Sequence, residues 1–385
     1  MKFIFDKDEL NRAVTPAMGS VSTKATLPAI EGILFSSTSD NECEITTYDL
    51  EKGYKTKLPC RVEREGSFII NASKINQIIK AMPSGDITVE ISDKLQCRIY
   101  SGKSEFELHI LESKEFPAIP ELAGEKGLTI VQKTLASMMN EAQFAIAIND
   151  PRVALNGLYF KIQGTSITIV SCDGNRLALR EKVCDVGNLN KDGSDLALSF
   201  ILPGKTISEL MRLIDTKDDE KTVRILVGRK HVIFAFEDFY LFSRIIEGEY
   251  IDYDRFIPKN NRTFVNINRD SFVQSLDRAS IVTEDRTMGQ AKPPVKLTFE
   301  ESILKITTTP SVSGRVYDEV AMSMTGDGIE IGFNCRYLLD ALRSTTVDTL
   351  KLSMSSPLMS MIIEAAEPQE DDRFLFLVLP CKMKE

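Results

Sequence analysis

Apolar residues recur at helical spacing in three separate stretches of this 385-residue chain. Each stretch opens with a short apolar run, passes an asparagine or a proline, and continues with apolar positions three and four residues apart. The matching positions are Ile75, Ile78 and Ile79, then Ile207, Leu210 and Met211, then Leu338, Ala341 and Leu342. Asparagine and proline both favour the start of a helix. The pattern therefore predicts a strand that leads into an amphipathic helix, three times over.

The even spacing of the three stretches indicates an internal repeat. Asn71, Pro203 and Asn334 hold the same place, at intervals of 203 − 71 = 132 and 334 − 203 = 131 residues. A second strand-to-helix pattern opens each third, over residues 3–10, 128–135 and 264–272. A period this long predicts three similar domains rather than a solenoid of short repeats.

Alternating, β-branched stretches lie between the predicted helices and indicate half-buried antiparallel strands. They include residues 32–35, 43–47, 157–160, 167–170, 295–299 and 303–306. We therefore expect an α+β fold in which each third packs two helices on antiparallel sheet. Segments rich in proline, glycine and polar residues separate the thirds. The predicted domains are residues 1–124, 125–256 and 257–385.

The composition is that of an ordinary globular protein with a formal net charge of −9, which argues against coating nucleic acid by bulk charge. Because charges are screened over about 8 Å at physiological salt, one face can still be basic. The apolar runs are too short to span a bilayer and the N-terminus lacks an export signal, so we expect a cytoplasmic protein without membrane contact. The seven scattered cysteines favour free thiols in a reducing compartment.

Residues for catalysis or metal binding are not gathered by any motif. The two histidines, His109 and His231, stand in strand-like stretches and are expected to be structural. Pro203 to Thr206 resembles part of a phosphate-binding loop, but Ser199 stands where that motif needs a glycine. Acid pairs fall in polar loops. We therefore expect a non-enzymatic protein with no cofactor and no metal.

Basic residues are more informative, because they recur at matching places on the predicted helices. They are Lys7, Arg12, Lys80, Lys133, Lys205, Arg212, Arg269, Arg278, Arg336 and Arg343. Lys80, Arg212 and Arg343 each follow a helix start by nine residues, and we align Lys133 with Lys7 and Arg269. One exposed helix carries such cations by chance, but recurrence predicts a shared positive surface. A row of point charges suits phosphate contact without sequence reading.

A second candidate patch mixes apolar and polar residues over 155–157, 172–177 and 378–383. The pair Asp173-Gly174 predicts a tight turn. From the residues alone this patch is either a hairpin with a buried C-terminal strand or a binding site.

Several short motifs together resemble one family over essentially the whole chain: the bacterial DNA polymerase III beta subunit, the sliding clamp. The motifs are Met1-Lys2-Phe3, Thr26-Leu27-Pro28, residues 47–51, Arg152 with Leu155-Asn156-Gly157, residues 173–178, residues 256–259, and residues 331–334 with Tyr337-Leu338. The resemblance implies a head-to-tail homodimer whose six domains close a ring around duplex DNA, with helices inside and sheets outside. It adds Lys24 and Arg152 to the DNA-facing set. It also implies a dimer interface of Phe106 and Leu108 against Ile281 and Val282.

The same resemblance implies a pocket for a short apolar peptide shared by the replicative polymerase catalytic subunit, the clamp loader and other clamp-binding proteins. Its wall would comprise Leu155, Cys172, Gly174, Asn175, Arg176, Leu177, Phe256, Asn334, Tyr337, Leu358, Ser360, Val378, Leu379, Pro380 and Cys381. The expected function is a processivity factor, located on nucleoid DNA. Two alternatives remain at this point: a repeat-built scaffold that never contacts DNA, and a hydrolase with a carboxylate site.

Overall fold

The computed structural model describes residues 1–23, 27–120, 126–283, 293–308 and 314–383. Within these ranges the chain forms six α-helices. They are α1 (Lys7–Ala17), α2 (Ala72–Ala81), α3 (Gln132–Ala142), α4 (Gly204–Leu213), α5 (Arg269–Thr283) and α6 (Cys335–Ser344).

The strands fall into three series, one for each third of the chain. The first is β1 (Lys2–Asp6), β2 (Gly32–Ser39), β3 (Glu42–Tyr48), β4 (Lys52–Pro59), β5 (Arg61–Arg64), β6 (Ser67–Asn71), β7 (Asp86–Ile91), β8 (Gln96–Ser101), β9 (Ser104–His109) and β10 (Leu111–Glu112). The second is β11 (Lys126–Val131), β12 (Gly157–Gln163), β13 (Ser166–Cys172), β14 (Arg176–Val183), β15 (Gly187–Asn188), β16 (Ala197–Pro203), β17 (Thr222–Val227), β18 (His231–Ala235) and β19 (Phe239–Arg244). The third is β20 (Thr263–Asn268), β21 (Val295–Glu300), β22 (Ile303–Thr308), β23 (Tyr317–Thr325), β24 (Ile329–Phe333), β25 (Thr349–Met354), β26 (Met361–Ala365) and β27 (Asp372–Val378).

Each third repeats one order of elements: a strand, a helix, strands, a second helix and three strands, to which the first third adds the short β10. The predicted strand-to-helix units are confirmed, and so are the asparagine caps. The Asn71 side chain accepts a hydrogen bond from Lys74 N at 3.1 Å, and that of Asn334 accepts one from Arg336 N at 3.0 Å. The predicted apolar stripes are buried, apart from the half-buried Met211. Helix burial of this kind is what anchors an amphipathic helix to a sheet.

One alignment made from the sequence is wrong by one residue. Gln132, not Lys133, corresponds to Lys7 and Arg269, because these three residues begin the first helix of each third. Their backbone N–H groups make the same bond, to Gly85 O, Lys221 O and Asp348 O at 3.2, 2.8 and 2.8 Å. A shift of one position turns a side chain by about 100° around a helix, so Lys133 points elsewhere.

The strands pair antiparallel in three sheets. The five-stranded sheet has the order β5-β1-β7-β8-β9. The ten-stranded sheet has the order β10-β6-β2-β3-β4-β19-β18-β17-β11-β15. The twelve-stranded sheet has the order β16-β12-β13-β14-β27-β26-β25-β20-β23-β22-β21-β24. Two pairings join neighbouring thirds: β4 with β19, and β14 with β27.

Two compact units divide the chain. One comprises residues 1–133, 186–196 and 208–245, and the other comprises residues 134–185, 197–207 and 246–385. The core of the first unit is aromatic: the ring of Phe68 lies 5.3 Å from those of both Phe3 and Phe35. In the second unit, Leu177 and Leu179 pack with Leu375 and Leu377 across the β14–β27 pairing. The middle third contributes to both units, and the boundaries at 124/125 and 256/257 stay a prediction.

Candidate functional sites

The helix cations are mostly exposed. The exposed members of the predicted DNA-facing set are Arg12, Lys80, Lys133, Arg152, Lys205, Arg212, Arg278, Arg336 and Arg343. Lys7 and Arg269 are half-buried, and Lys24 lies outside the described residues. Lys80, Arg212 and Arg343 each lie in the last turn of their helix, as their spacing predicts.

Lys7 and Arg269 make structural bonds that the sequence did not suggest. The Lys7 ammonium donates to Met82 O, and Arg269 Nη1 donates to Thr345 O at 3.0 Å. Each carbonyl directly follows the second helix of its own third, where a cation is favoured by the helix dipole. Gln132 ties the middle third in a similar way, through Thr222 O at 3.0 Å and Asp215 N at 2.9 Å. These three side chains therefore link the two helices of each third.

The exposed cations lie beside carboxylates. Arg212 pairs with Glu209, Arg343 with Asp277 and Lys133 with Asp219, each at 2.5 Å. Exposed ion pairs contribute about 0–1 kcal/mol, because water and salt compete with them. Lys133 and Arg343 can therefore exchange a carboxylate for a phosphate at little cost, whereas Glu209, the partner of Arg212, is buried with only 8% of its side chain exposed.

The predicted turn at Asp173-Gly174 is confirmed, and it joins β13 to β14. Asp173 Oδ1 accepts hydrogen bonds from Asn175 N at 2.8 Å and from Arg176 N at 3.0 Å. Gly174 has a φ of +88°, a left-handed conformation that favours glycine. The turn therefore holds Asn175 exposed while the next residues enter the sheet.

Arg176 links this turn to helix α6. Its Nε lies 3.0 Å from Asp173 Oδ2 and its Nη1 lies 2.7 Å from Asp340 Oδ2. The guanidinium carbon lies 4.5 Å from the ring centre of Tyr337 and 5.6 Å from that of Phe144. Paired charges and cation–π contacts both fix the direction of the side chain. Arg176 and Tyr337 thus form one rigid wall of the predicted pocket.

The C-terminal segment runs beside the same turn. Leu379 N donates to Asn175 O at 2.8 Å, and Cys381 N donates to Gly332 O at 2.8 Å. These bonds bring Val378, Leu379, Pro380 and Cys381 next to the turn and to the start of α6 at Asn334. Burial raises the pKa of the Cys172 and Cys381 thiols, so both stay neutral and the wall they line is apolar.

Several apolar side chains of the predicted pocket are exposed. Leu358 is 81% exposed, Phe256 is 58% exposed and Leu379 is 40% exposed, whereas Leu155 and Leu177 are buried. Phe256 is the last residue of a 3₁₀ turn that begins at Tyr253. Tyr253 and Ile257, which directly follows the turn, pack against the cluster that contains Leu177. Among the described residues, no hydrogen bond or ion pair ties Leu358 or Ser360 to the turn at Gly174.

Arg152 lies with the pocket residues rather than on a helix. A Cβ atom added at Gly174 would stand 2.9 Å from Arg152 Nη2, so the guanidinium covers the turn. Asp150 holds Arg152 through both carboxylate oxygens, each at 2.9 Å. Hydrogen bonds from Arg152 lower the pKa of the Asp150 carboxyl to about 2.

The sequence reading missed Phe144, Asp150 and Asp340, which position the two arginines. A usable signal existed for the local part of this network. The spacing Asp173-x-x-Arg176 recurs as Asp49-x-x-Lys52, and Lys52 Nζ lies 3.6 Å from Asp49 Oδ2. The contact with Asp340 joins residues 164 positions apart, and no local pattern indicates it.

Two strand edges that have no partner among the described residues lie near the predicted dimer residues. Phe106 and Leu108 are on one edge, and Ile281 and Val282 are on helix α5, which packs on the strand that forms the other. β9 carries Phe106 and Leu108 and forms the edge of the five-stranded sheet. Residues 317–321 of β23 pair with β22 and, within the described ranges, with no other strand. Helix α5 packs over this part of β23, where Arg278 binds Asp318 at 2.5 Å. Ile281 is 72% exposed one turn further along α5.

Neither a membrane nor a metal site is indicated by the described residues. No helix among them is long and apolar enough to cross a membrane. No group of three or more His, Cys, Asp or Glu side chains among them could hold a metal ion.

Comparison with known protein families gives three adjacent matches. They are the DNA polymerase III beta subunit N-terminal domain over residues 1–120, the central domain over 129–252 and the C-terminal domain over 254–382. Among similar proteins, the beta sliding clamp of Bacillus subtilis is 26% identical and covers 99% of this chain and 100% of its own length. The beta sliding clamp of Proteus mirabilis is 31% identical and covers 94% of this chain and 96% of its own length.

Solved structures agree with these matches. A putative DNA polymerase III beta subunit from Eubacterium rectale superposes with a TM-score of 0.91 at 26% identity, and both chains are covered completely. The DNA polymerase sliding clamp of Bacillus subtilis gives a TM-score of 0.91 at 25% identity, again over both whole chains. The chain therefore belongs to the DNA polymerase III beta subunit family, whose members are non-catalytic sliding clamps that keep a DNA polymerase on its template.

Proposed function

We propose that two copies of this chain close head to tail into a ring around duplex DNA and tether a replicative polymerase to it. The family assignment and the two strand edges at β9 and β23 support this proposal. The alternatives drawn from the sequence, a scaffold that never meets DNA and a carboxylate hydrolase, do not fit a family of non-catalytic clamps.

The strand edges carry the argument for the dimer. Inside the chain, β4 of the first third pairs with the last strand of the second third, and β14 of the second pairs with the last strand of the third. By the same rule, β23 of the third would take as its partner β9, the last long strand of the first third, from another copy. Such a contact is heterologous and closes when rotation brings the second copy round. Phe106, Leu108, Ile281 and Val282 would then be buried at the joint.

Contact with DNA would come from the exposed helix cations. Two chains carry a net charge of 2 × −9 = −18, so a lining of cations must act locally rather than through the whole molecule. Weak phosphate contacts that ignore base sequence allow a ring to slide. We assign this contact to the exposed members of the set, keep Lys24 as a candidate, and give Lys7 and Arg269 a mainly structural part.

Partner binding would use the pocket around Arg176. Leu379, Phe256 and Leu358 supply exposed apolar surface, and the turn and Arg176 supply a fixed polar border. A short peptide with a leucine or phenylalanine anchor suits such a cleft. The replicative polymerase catalytic subunit, the clamp loader and other clamp-binding proteins are the proposed owners of that peptide. The ring would work in the cytoplasm, where nucleoid DNA is available.

Retention on DNA of two shapes tests the proposal. Loaded rings should stay on nicked circular plasmid during gel filtration in moderate salt and should be lost once the plasmid is cut. Phe106→Asp should prevent retention and give monomers by light scattering, because a buried charge at the joint is costly. Equal retention on circular and linear DNA would overturn the encircling ring, and a dimeric Phe106→Asp variant would overturn the β9 joint.

A further inference from the structure

Cys43 and Cys60 lie together where the chain passes from one sheet to another. Cys43 lies on β3 of the ten-stranded sheet and is fully buried. Cys60 is the single residue between β4 of that sheet and β5 of the five-stranded sheet. All seven cysteines of the chain are described, and none of them forms a disulfide.

The strand register brings the two thiols to one face. Cys43 on β3 is opposite Leu58 on β4. Two residues further along, Cys60 N donates to Asn41 O at 3.1 Å, so the antiparallel pairing continues past the end of β4. Because side chains alternate along a strand, Leu58 and Cys60 face the same side. Cys60 packs against the core cluster that contains both Cys43 and Leu58. The Cys43 thiol donates to Glu44 O at 3.6 Å, and the interaction between the two thiols shifts the pKa of each.

The two thiols are unequal. The interaction with Cys43 lowers the pKa of Cys60, although partial burial and the Glu42 charge act in the opposite direction. The same interaction, together with burial, raises the pKa of Cys43. Burial raises the pKa of the other half-buried thiols, Cys172, Cys184 and Cys381. A half-buried cysteine whose pKa is lowered, beside a second thiol whose pKa is raised, has the arrangement of a redox-active pair.

We propose that Cys43 and Cys60 form a redox-active dithiol that closes to an intramolecular disulfide when a peroxide reaches Cys60. The Cys60 thiolate attacks one peroxide oxygen, the O–O bond breaks, and hydroxide leaves with one proton as water. This oxidises Cys60 to a sulfenic acid. The Cys43 sulfur then attacks the Cys60 sulfur, its proton and the hydroxyl group leave as a second water, and the S–S bond forms. Two thiols and one hydrogen peroxide thus give one disulfide and two waters.

The bond would link β3 to the crossover between the two sheets of the first third. It would close a loop over residues 44–59 and reduce the freedom of the unfolded chain. Oxidation should therefore raise the temperature at which the first unit unfolds, and reduction by dithiothreitol should reverse the change. This inference concerns the reactivity of the chain and does not depend on the proposed ring.

Peptide mapping of the full-length protein tests the dithiol. Reduced protein is treated with hydrogen peroxide in slight excess, quenched, alkylated and analysed by mass spectrometry. We expect a peptide pair joined through Cys43 and Cys60, lighter by two hydrogens than the reduced pair and restored by dithiothreitol. Cys43→Ala should leave a Cys60 sulfenic acid that dimedone traps, and Cys60→Ser should leave Cys43 unmodified. Cys184→Ser, which removes another half-buried thiol, should form the disulfide as the wild type does.

Rates measured on the wild type keep the test independent of any variant's folding. Under limiting iodoacetamide, Cys60 should be labelled at least tenfold faster than Cys184 or Cys381. Equal labelling rates would overturn the proposed reactivity of Cys60. Oxidation that yields disulfides between copies, or only sulfinic acid at Cys60, would overturn the pairing with Cys43.

Discussion

The guanidinium of Arg176 lies between the carboxylates of Asp173 and Asp340 and against the ring of Tyr337. Only 12% of its side chain is exposed. At this scale the geometry of the proposed pocket depends on a charged side chain that water scarcely reaches. Removing the arginine would leave two carboxylates facing each other across the β14–α6 contact.

Arg176→Ala should therefore destabilise the second unit by about 3 kcal/mol, as expected when one member of a buried ion pair is removed. Chemical unfolding followed by tyrosine fluorescence measures this change. Arg255→Ala is the matched control, because Arg255 is 83% exposed and pairs with Asp252 in solvent. The control should change stability by less than about 0.5 kcal/mol. A similar destabilisation in the two variants would contradict the structural importance of Arg176.

Asp150 offers a pH test of the contact with Arg152. Its carboxyl pKa is lowered from an ordinary value of 3.8 to about 2 by hydrogen bonds from Arg152. A lowered pKa means that the contact stabilises the fold above the ordinary value, and that this contribution disappears as the pH falls from about 4 towards 2. In Arg152→Gln the backbone N–H of residue 152 still donates to Asp150 Oδ1, so the pKa of Asp150 should rise from about 2 towards its ordinary value without reaching it, and more of the carboxyl should be protonated at about pH 3 than in the wild type. Carbon-detected NMR of the carboxyl group checks this, and identical titrations would contradict the assignment.

Sequence reasoning at the residue scale identified types of residue better than their surroundings. It found the caps at Asn71 and Asn334 and the turn at Asp173, because each depends on neighbours in the chain. It misaligned Lys133 because adjacent Gln132 and Lys133 are both polar, and only the bond to Lys221 O fixes the register. Asp340 stayed unseen because its partner, Arg176, is distant in sequence.

The six helices were predicted in number and many strands were predicted in type, but the pairing of the strands was not predicted. Periodicity of 3.6 and of 2 residues is a local signal, so the helices and strands could be read from it. The pairing of β4 with β19 joins the first third to the second, and nothing near either strand in the sequence indicates the partner. That β9 and part of β23 lack a partner strand can be recognised only when the pairings of the other strands are known.

The last-turn cations of helices α2, α4 and α6 should act together on DNA. In the triple variant Lys80→Glu, Arg212→Glu and Arg343→Glu, binding to a short duplex should weaken at all sequences. The salt dependence of binding should fall by about one power of salt concentration for each phosphate that the variant no longer neutralises. Fluorescence anisotropy across a salt series measures both effects.

The control for that variant reverses three cations on strands: Lys57, Lys305 and Arg373. It changes the net charge by the same amount, and both variants should remain dimers. A control that weakens binding as strongly as the helix variant would show that total charge, rather than the helix surface, governs contact with DNA.

At the scale of the whole molecule, the middle third is held by strand pairings on both sides. β19 pairs with β4 over five residues, and β14 pairs with β27 over seven. Expressed alone, residues 125–256 would expose both edges, and exposed strand edges promote association. We expect this fragment to aggregate in light scattering, and residues 1–256, which keep the β4–β19 pairing, to aggregate less. A monodisperse folded fragment of residues 125–256 would show that the pairings add little stability.

The pairing of β14 with β27 also bears on how the proposed ring would be loaded onto DNA that has no free ends. Seven consecutive residue pairs and the buried Arg180, held 2.6 Å from Glu141, lock that boundary within one polypeptide. In the proposed ring, the boundary between copies would have no covalent connection, so it would be the easiest place to break. A protein that loads the ring would therefore separate the two chains rather than distort one of them. The residence time on a chromosome would then depend on how slowly the interface between copies dissociates, rather than on affinity for phosphate.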